Sequence, residues 1–189
     1  MRSIFCNLIS ILFFASTVLY AQNNSIKDIA LIYAEGKIDA NKYTNDYFGL
    51  TLSAGSGRFT EGGFLSPVGK RARLIDVQAD ADNWDDKFEI AVLADLMTQH
   101  PQIQSSKQYI HSLRQSFEKQ GMETYKESST IVSNLPFAYV VMKINNRTQI
   151  HYRAIYTTLL KGYIFSLDVS AATPEKVSEA LRQVTLKDE

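Results

Sequence analysis

Three consecutive segments near the carboxyl end alternate between apolar and polar side chains, and they constrain the fold more than any other feature. The segments 137–144, 148–160 and 163–171 are separated by Asn145-Asn146-Arg147 and by Lys161-Gly162. Asn and Gly tolerate the left-handed backbone that two-residue hairpin turns require. The spacing therefore predicts a run of antiparallel strands joined by tight turns.

These turns also fix which side chains share a face of the sheet, because successive residues of a strand point to opposite faces. Residue 144 is expected to pair with 147, and residue 160 with 163. One face is aromatic and aliphatic, which predicts that it forms the core under the helices. Its members are Phe137, Tyr139, Val141, Ile150, Tyr152, Ala154, Tyr156, Tyr163, Phe165, Leu167 and Val169. The other face mixes apolar with polar and charged residues. Its members are Ala138, Val140, Met142, Ile144, Gln149, His151, Arg153, Thr157, Ser166, Asp168 and Ser170.

Two segments carry the capping signals of helices. Ser105 followed by Gln108 has the form of a capping box, and apolar residues then recur at helical spacing. Gly121 predicts where that helix ends. Thr173 and Pro174 begin a second helix, whose apolar stripe runs as far as residue 184.

The segments upstream read as further strands and loops. Aromatic and β-branched residues favour strands in four of them: 43–53, 71–78, 88–97 and 123–133. The glycine-rich stretch 54–69 predicts a long loop. The apolar run inside the leader 22–36 is too short to assign to a helix or a strand.

The predicted fold is α+β, with a mostly antiparallel sheet of about six to eight strands packed against two helices. We expect a single domain at 37–189 after the leader. The chain is 45% hydrophobic, which is enough for a globular core. Its 20 basic and 20 acidic side chains give a formal net charge of +0, which argues against a nucleic-acid-binding domain.

Residues 1–21 have the layout of an export signal. Arg2 precedes a mostly apolar run from Ile4 to Leu19, and Ala21 is a small residue at the expected cleavage point. The run is shorter than the ~20 apolar residues of a spanning helix, so no transmembrane span is expected after cleavage. Cys6, the single cysteine, lies at the start of the run, where lipid is not attached. The sequence predicts a periplasmic or secreted protein that is not a lipoprotein.

Three stretches together carry a resemblance to a known family. They are Tyr43-Thr44-Asn45-Asp46-Tyr47-Phe48-Gly49-Leu50, Ser105-Ser106-Lys107-Gln108-Tyr109-Ile110, and Lys161-Gly162-Tyr163 followed by Ser170-Ala171 and a terminal helix. Over most of residues 36–187 the chain resembles the PsbP-like superfamily, named for the extrinsic protein of photosystem II. Residues 54–59 lack the Pro-x-x-Trp turn of many members. The resemblance implies a non-catalytic role in docking to or assembling a larger complex, and it implies no catalytic residues.

Four polar residues on the mixed sheet face are candidate binding residues. His151, Arg153, Asp168 and Ser170 fall close together in the predicted register, beside apolar side chains. Such a mixture suits a surface that binds a ligand or a protein. Two other interpretations stay open. One is a solvent-facing sheet side with a surface ion pair, and the other is a hydrolase with His151 as base and Asp168 as its orienting carboxylate.

An acidic loop between two predicted strands is a candidate site for weak calcium binding. Its carboxylates are Asp80, Asp82, Asp85 and Asp86. The loop departs from the EF-hand pattern, because Asp85 stands where glycine is needed and Ala91 where the bidentate glutamate belongs. A solvated connection between strands is the alternative. The segment Gly55-Ser56-Gly57 matches neither a nucleophile motif nor a phosphate-binding loop.

The sequence therefore predicts an exported, non-catalytic binding or assembly module. Its expected partner is an envelope or extracellular protein or a small ligand, and we expect no cofactor. A small exported hydrolase and a weak calcium-binding surface module remain as alternatives.

Overall fold

The computed structural model describes residues 30–55, 57–64, 71–79, 87–146 and 149–187. Within these ranges the chain forms eleven strands and three helices. The strands are β1 (Gly36–Asp39), β2 (Lys42–Asn45), β3 (Leu50–Ser53), β4 (Arg58–Phe64), β5 (Arg71–Gln78), β6 (Phe88–Leu96), β7 (Glu123–Val132), β8 (Leu135–Asn146), β9 (Gln149–Leu160), β10 (Tyr163–Ala171) and β11 (Val184–Leu186). The helices are α1 (30–34 in the described part), α2 (Ser106–Lys119) and α3 (Pro174–Ala180), with 3₁₀ turns at Met97–Gln99 and Leu181–Gln183.

The strands form two antiparallel sheets. The large sheet has the order β4-β5-β6-β10-β9-β8-β7, and the small sheet has the order β1-β2-β3-β11. The fold is α+β with antiparallel sheets and helices packed against them, as predicted. The small sheet was not predicted as a separate layer, because its strands of three or four residues are too short to show a period.

The small sheet and α3 cover one face of the large sheet, and the main core lies between them. This face is the aromatic and aliphatic one that alternation predicts, with Phe137, Phe165 and Leu167 buried in it. Phe48, from the segment between β2 and β3, packs against it, with its ring centroid 5.1 Å from that of Phe165 and 5.6 Å from that of Tyr163.

Helix α2 lies on the opposite face of the large sheet, so the expectation that one face lies under both helices is wrong. Ile110 of α2 is fully buried, in a cluster with Val140, Met142 and Ile155. Val140 and Met142 belong to the face that was predicted to be mixed. The reason is that β8 carries apolar residues on both faces, so it needs cover on both sides.

The hairpin between β8 and β9 is longer than predicted. Ile144 pairs with His151 instead of residue 147, and the last described pair joins Asn146 to Gln149. The strands therefore extend through the Asn-Asn segment, and residues 147 and 148 lie outside the described residues. The register differs by an even number of residues, so every side chain keeps its predicted face.

The first aromatic segment, predicted as one strand, is interrupted after Asn45. The Asn45 side chain is fully buried. Its Oδ1 accepts from the backbone N–H of Phe48 at 3.2 Å, and its Nδ2 donates to the carbonyl of Ile32 at 2.7 Å. Gly49 then takes a φ of +62°. The local side-chain hydrogen bond competes with the strand ladder and turns the chain.

The stretch predicted as a glycine-rich loop contains strand β4. Glycine permits close backbone packing here, because a Cβ at Gly62 would lie 1.7 Å from the carbonyl oxygen of Arg73 on β5. The Tyr33 hydroxyl donates to the carbonyl oxygen of Gly62 at 3.0 Å. The prediction of a loop from the high glycine content is therefore wrong for residues 58–64.

Helix α2 begins and ends as predicted. The Ser105 Oγ accepts from the backbone N–H of Gln108 at 3.2 Å, and Gly121 has a φ of +83°. Helix α3 begins after the Thr173 cap, also as predicted, but it ends at Ala180. The last part of the predicted apolar stripe belongs to β11, which completes the small sheet.

Residues 1–29, which hold the predicted export signal and part of the leader, lie outside the described residues. The first described segment, 30–34, is helical and buries Ile32 in the main core. Among the helices that the structure describes, none combines the length and apolar character needed to cross a membrane.

Candidate functional site

The face of the large sheet that carries α2 also carries a dense set of charged side chains. We call them the polar cluster. Its members are Arg71, Arg73 and Asp76 of β5, Glu89 and Asp95 of β6, Arg153 of β9 and Asp168 of β10. Helix α2 packs on β7, β8 and β9, so the cluster lies beside the helix, mainly on β5, β6 and β10.

Strand pairing brings three of the four predicted binding residues together. Ser170 lies directly opposite Arg153, as predicted. Arg153 Nε donates to Asp168 Oδ1 at 2.9 Å and its Nη2 donates to Oδ2 at 2.6 Å. The hydrogen bond that Arg153 donates to Asp168 raises the pKa of Arg153. The guanidinium also lies 5.6 Å from the ring centroid of Phe117 on α2, so the ring and the carboxylate together hold it in place.

A second arginine joins β5 to α2. Arg71 Nε and Nη2 donate to the two carboxylate oxygens of Asp95, each at 2.6 Å. The Tyr109 hydroxyl accepts from Arg71 Nη2 at 2.9 Å and donates to Asp95 Oδ2 at 3.0 Å. Asp95 is only 3% exposed. The hydrogen bond with Asp95 raises the pKa of Arg71, and burial raises the pKa of Tyr109.

A third arginine links β5 to β6. Arg73 Nε donates to Asp76 Oδ1 at 2.6 Å, and its Nη2 donates to Glu89 Oε1 at 2.9 Å. Burial raises the pKa of Asp76, and the hydrogen bond from Arg73 opposes that effect. A β-bulge between Arg73 and Ile75 lets residues 73 and 76 share a face in spite of their odd spacing. Sequence reasoning missed this group because strict alternation puts residues 73 and 76 on opposite faces.

A cavity of about 330 Å³ opens at the end of this face, and we call it the end cavity. Two of the predicted binding residues, His151 and Ser170, line it. The other lining residues are Arg58, Gln78, Ala79, Lys87, Phe88, Glu89, Ala171 and Ala172. Its wall thus combines charged groups, an amide, a hydroxyl and an apolar ring, which suits a small polar ligand or a side chain of a partner.

In the predicted hydrolase pair, the carboxylate of Asp168 is hydrogen-bonded to a residue other than His151. Both carboxylate oxygens of Asp168 accept from Arg153. Among the described residues, no hydrogen bond joins Asp168 to His151. In a catalytic triad the carboxylate fixes the tautomer and the orientation of the histidine base. Here the Asp168 carboxylate is hydrogen-bonded to Arg153 instead. Of the four predicted residues, Arg153 and Asp168 are the pair that hydrogen bonds join within the described part of the chain.

The predicted calcium ligands Asp80, Asp82, Asp85 and Asp86 lie outside the described residues. Within the described ranges, no group of three or more His, Cys, Asp or Glu side chains could hold a metal ion. Calcium binding by the acidic loop stays a prediction. It is tested by thermal unfolding with calcium and with chelator, because a cation that binds the native state must raise the melting temperature.

Comparison with known proteins gives similarity to solved structures alone. No family model matches the chain, and no curated protein matches it. The chain is similar to cyanobacterial PsbP (CyanoP) from Synechocystis sp., with a TM-score of 0.46 and 10% identity over 80% of this chain and 96% of that one. It is also similar to LpqN, which is involved in cell envelope biogenesis of Mycobacterium tuberculosis, with a TM-score of 0.46 and 10% identity over 74% of this chain and 83% of that one.

A protein of Bacteroides thetaiotaomicron is similar as well, with a TM-score of 0.41 and 12% identity over 75% of this chain. The chain spans about half, 46%, of the length of that protein. A cyanobacterial PsbP is thus among the solved structures to which this chain is similar. With these TM-scores below 0.5, the similarity carries no information about function.

Proposed function

We propose that the protein is an exported, non-catalytic binding or assembly module that engages its partner through the end cavity and the polar cluster beside it. The observation that supports this most directly is the cavity that joins His151 and Ser170 next to an Arg153–Asp168 pair fixed by two hydrogen bonds. Side chains that are already held in place lose little freedom on binding, which favours recognition. Export rests on the layout of residues 1–21 and is part of the proposal.

The pairing within the polar cluster favours binding over acid–base catalysis. Each of its three arginines holds at least one carboxylate at 2.9 Å or less. Arginine stays charged at any physiological pH, so these pairs supply fixed charge and hydrogen-bond geometry but no proton transfer. The cluster is therefore suited to orient a partner and to resist rearrangement when the partner docks.

The wall of the end cavity indicates the chemistry of the partner group. Lys87, Gln78 and Ser170 offer an ammonium, an amide and a hydroxyl, each of which donates hydrogen bonds. Phe88 adds an apolar surface. A partner group that accepts hydrogen bonds and carries some apolar surface fits this wall, whether it belongs to an envelope protein or to a small ligand.

Site-specific photocrosslinking in the native envelope tests the proposal. A photoreactive residue is placed at Gln78, which is exposed and lines the end cavity, or at Thr185, an exposed control position on β11. The protein is recovered through a carboxyl-terminal tag and its adducts are identified by mass spectrometry. We expect one near-stoichiometric adduct from position 78 and none from position 185.

A cavity-filling variant makes the result specific to the site. Ser170→Arg places a long side chain in the end cavity and should abolish the adduct formed from position 78. Equal adducts from both positions, or an adduct that survives Ser170→Arg, would exclude the end cavity as the docking site. Recovery of the processed protein alone would contradict the binding role and favour the hydrolase alternative.

A further inference from the structure

Among the strands that the structure describes, β7 forms one edge of the large sheet and β4 forms the opposite edge. It is ten residues long, and most of its residues are exposed. Two large apolar side chains on it, Tyr125 and Ile131, are 52% and 64% exposed. Edge strands of this length that present apolar side chains are templates for pairing with another strand.

The turn after β7 shows which of its backbone groups are open. Ser133 and Asn134 have φ values of +48° and +69°, which is the pattern of a type I′ hairpin turn. Val132 and Leu135 flank the turn and pair with each other. In a two-residue hairpin of this type the flanking pair is hydrogen-bonded, and hydrogen-bonded and non-hydrogen-bonded pairs then alternate along the strands.

This alternation assigns the direction of each backbone group. Thr130 and Ser128 belong to hydrogen-bonded pairs, so their N–H and C=O groups face β8. Ile131 and Ser129 belong to the other pairs, so their N–H and C=O groups face the open edge. Pro136 lies opposite Ile131 and has no N–H to donate. A non-hydrogen-bonded pair tolerates proline, because the N–H at that position would not face β7. A β-bulge at residue 125 limits the regular part of the edge to residues 126–132.

Two cavities of about 390 and 410 Å³ lie along this edge, on the side of the sheet that carries α3. They share the floor residues Tyr139 and Tyr156, whose rings stack with centroids 4.9 Å apart, and the wall residues Ser178 and Arg182. They therefore form one trough, which we call the β7 groove. Next to Val132 its wall is largely apolar and hydroxyl-bearing.

The surroundings of the edge favour a single extended chain as the occupant. On the far side of the sheet, α2 lies against β7, with Arg114 Nε 2.7 Å from a Glu127 carboxylate oxygen. On the near side, α3 and the 3₁₀ turn after it form the wall of the β7 groove. The edge thus lies between two helices. A second copy of this protein would bring its own flanking helices against them, whereas one strand without flanking elements fits between them.

We propose that the β7 edge binds an extended peptide segment of a partner protein, which adds a strand to the large sheet. Main-chain hydrogen bonds to Ser129 and Ile131 supply affinity, and alternate peptide side chains enter the β7 groove. The peptide carries an apolar residue that packs beside Val132 and Leu181. This surface lies on the opposite side of the large sheet from the end cavity, so the inference does not depend on the proposed function.

Selection from a displayed library of random linear peptides against the purified protein tests this inference. An enriched peptide is then measured against the wild-type protein and three variants. Ser129→Pro removes a backbone N–H that faces the open edge and leaves the pairing with β8 in place, and it should weaken binding at least about tenfold. Ser129→Ala keeps that N–H and should bind as the wild type does. Ser178→Trp fills the β7 groove without touching the edge and should also weaken binding.

Hydrogen exchange gives a readout that is specific to strand addition. With peptide bound, the amides of Ser129 and Ile131 should gain protection, while those of Ser128 and Thr130 should change little because they already bond to β8. The inference is overturned if no peptide is enriched, if Ser129→Pro binds as well as Ser129→Ala, or if protection appears elsewhere. Protection of the same amides by self-association without peptide would also overturn it, because the occupant would then be a second copy.

Discussion

The two faces of the large sheet are built in different ways. The face under the small sheet and α3 is apolar across the sheet, with Phe165, Leu167 and Val169 fully buried. The α2 face is apolar only where the helix covers it, and the remainder carries the polar cluster. One face is thus held by burial and the other partly by ion pairs. The difference indicates that the apolar face fixes the strands, and that the arginine–carboxylate pairs of the other face depend on that fixed spacing.

The largest expected effect on stability comes from a substitution in the apolar face. Phe165→Ala should lower the free energy of unfolding by about 3 to 5 kcal/mol, because it removes a fully buried ring and leaves a cavity. Denaturant unfolding measures this change. The arginine–carboxylate pairs of the polar cluster should be lost in the same unfolding transition, at a lower denaturant concentration than in the wild type. A loss below about 1 kcal/mol would mean that the ring does not support the sheet as described.

The second prediction addresses the polar cluster. Asp95→Ala leaves Arg71 and Tyr109 without their shared partner and should cost about 2 to 3 kcal/mol. The cost stays below that of a fully buried pair because the Arg71 side chain is 38% exposed and can reach water.

A matched triple variant separates the cost of leaving a polar group unpaired from the net contribution of the ion pair. The triple change Arg71→Met, Asp95→Leu and Tyr109→Phe removes all three polar groups together and should restore stability to within about 1 kcal/mol of the wild type. Denaturant unfolding of the single and triple variants gives both values. If the triple variant is as unstable as Asp95→Ala, the ion pair itself stabilises the fold, and the contrast between the two faces is weaker than stated.

The third prediction concerns the pH dependence of stability that comes from Tyr156, on the face of the sheet that carries α3. Burial raises the pKa of Tyr156 to about 12. Between about pH 10 and 12 the unfolded chain ionises this tyrosine while the folded chain does not, so stability should fall through that window by about 2 kcal/mol. Tyr156→Phe should show a shallower fall in unfolding free energy over the same window. Parallel curves for the two proteins would show that this hydroxyl is not shielded from water.

The smallest expected effect on stability concerns the end cavity. His151→Ala should change the free energy of unfolding by about 1 kcal/mol or less, because the side chain is only half-buried. Asp168→Asn keeps one oxygen that can accept from Arg153 and should cost about 1 to 2 kcal/mol, because the Asp168 side chain is only 12% exposed. Both should reduce formation of the position 78 adduct, and neither should change the result of a screen for ester, amide and glycoside hydrolysis. Hydrolysis by the wild type that disappears in both variants would establish the hydrolase alternative.

Local pattern was enough for a substantial part of the fold. Alternation along 137–171 determined which residues form the core face and placed Arg153 near Asp168, because a period of two is preserved by any even change of register. The caps at Ser105 and Thr173 located the starts of two helices, because capping depends on residues a few positions apart. Neither inference needed knowledge of distant parts of the chain.

Tertiary structure decided the rest. The small sheet forms only because short strands from both ends of the described chain meet on the core face. The side on which α2 packs follows from the need of β8 for cover on both faces. Arg73 and Asp76 share a face through a bulge, and Arg71 reaches Asp95 through the pairing of β5 with β6. These features depend on contacts between residues far apart in the sequence or on a local break in the strand period, and neither leaves a regular signal in the sequence itself.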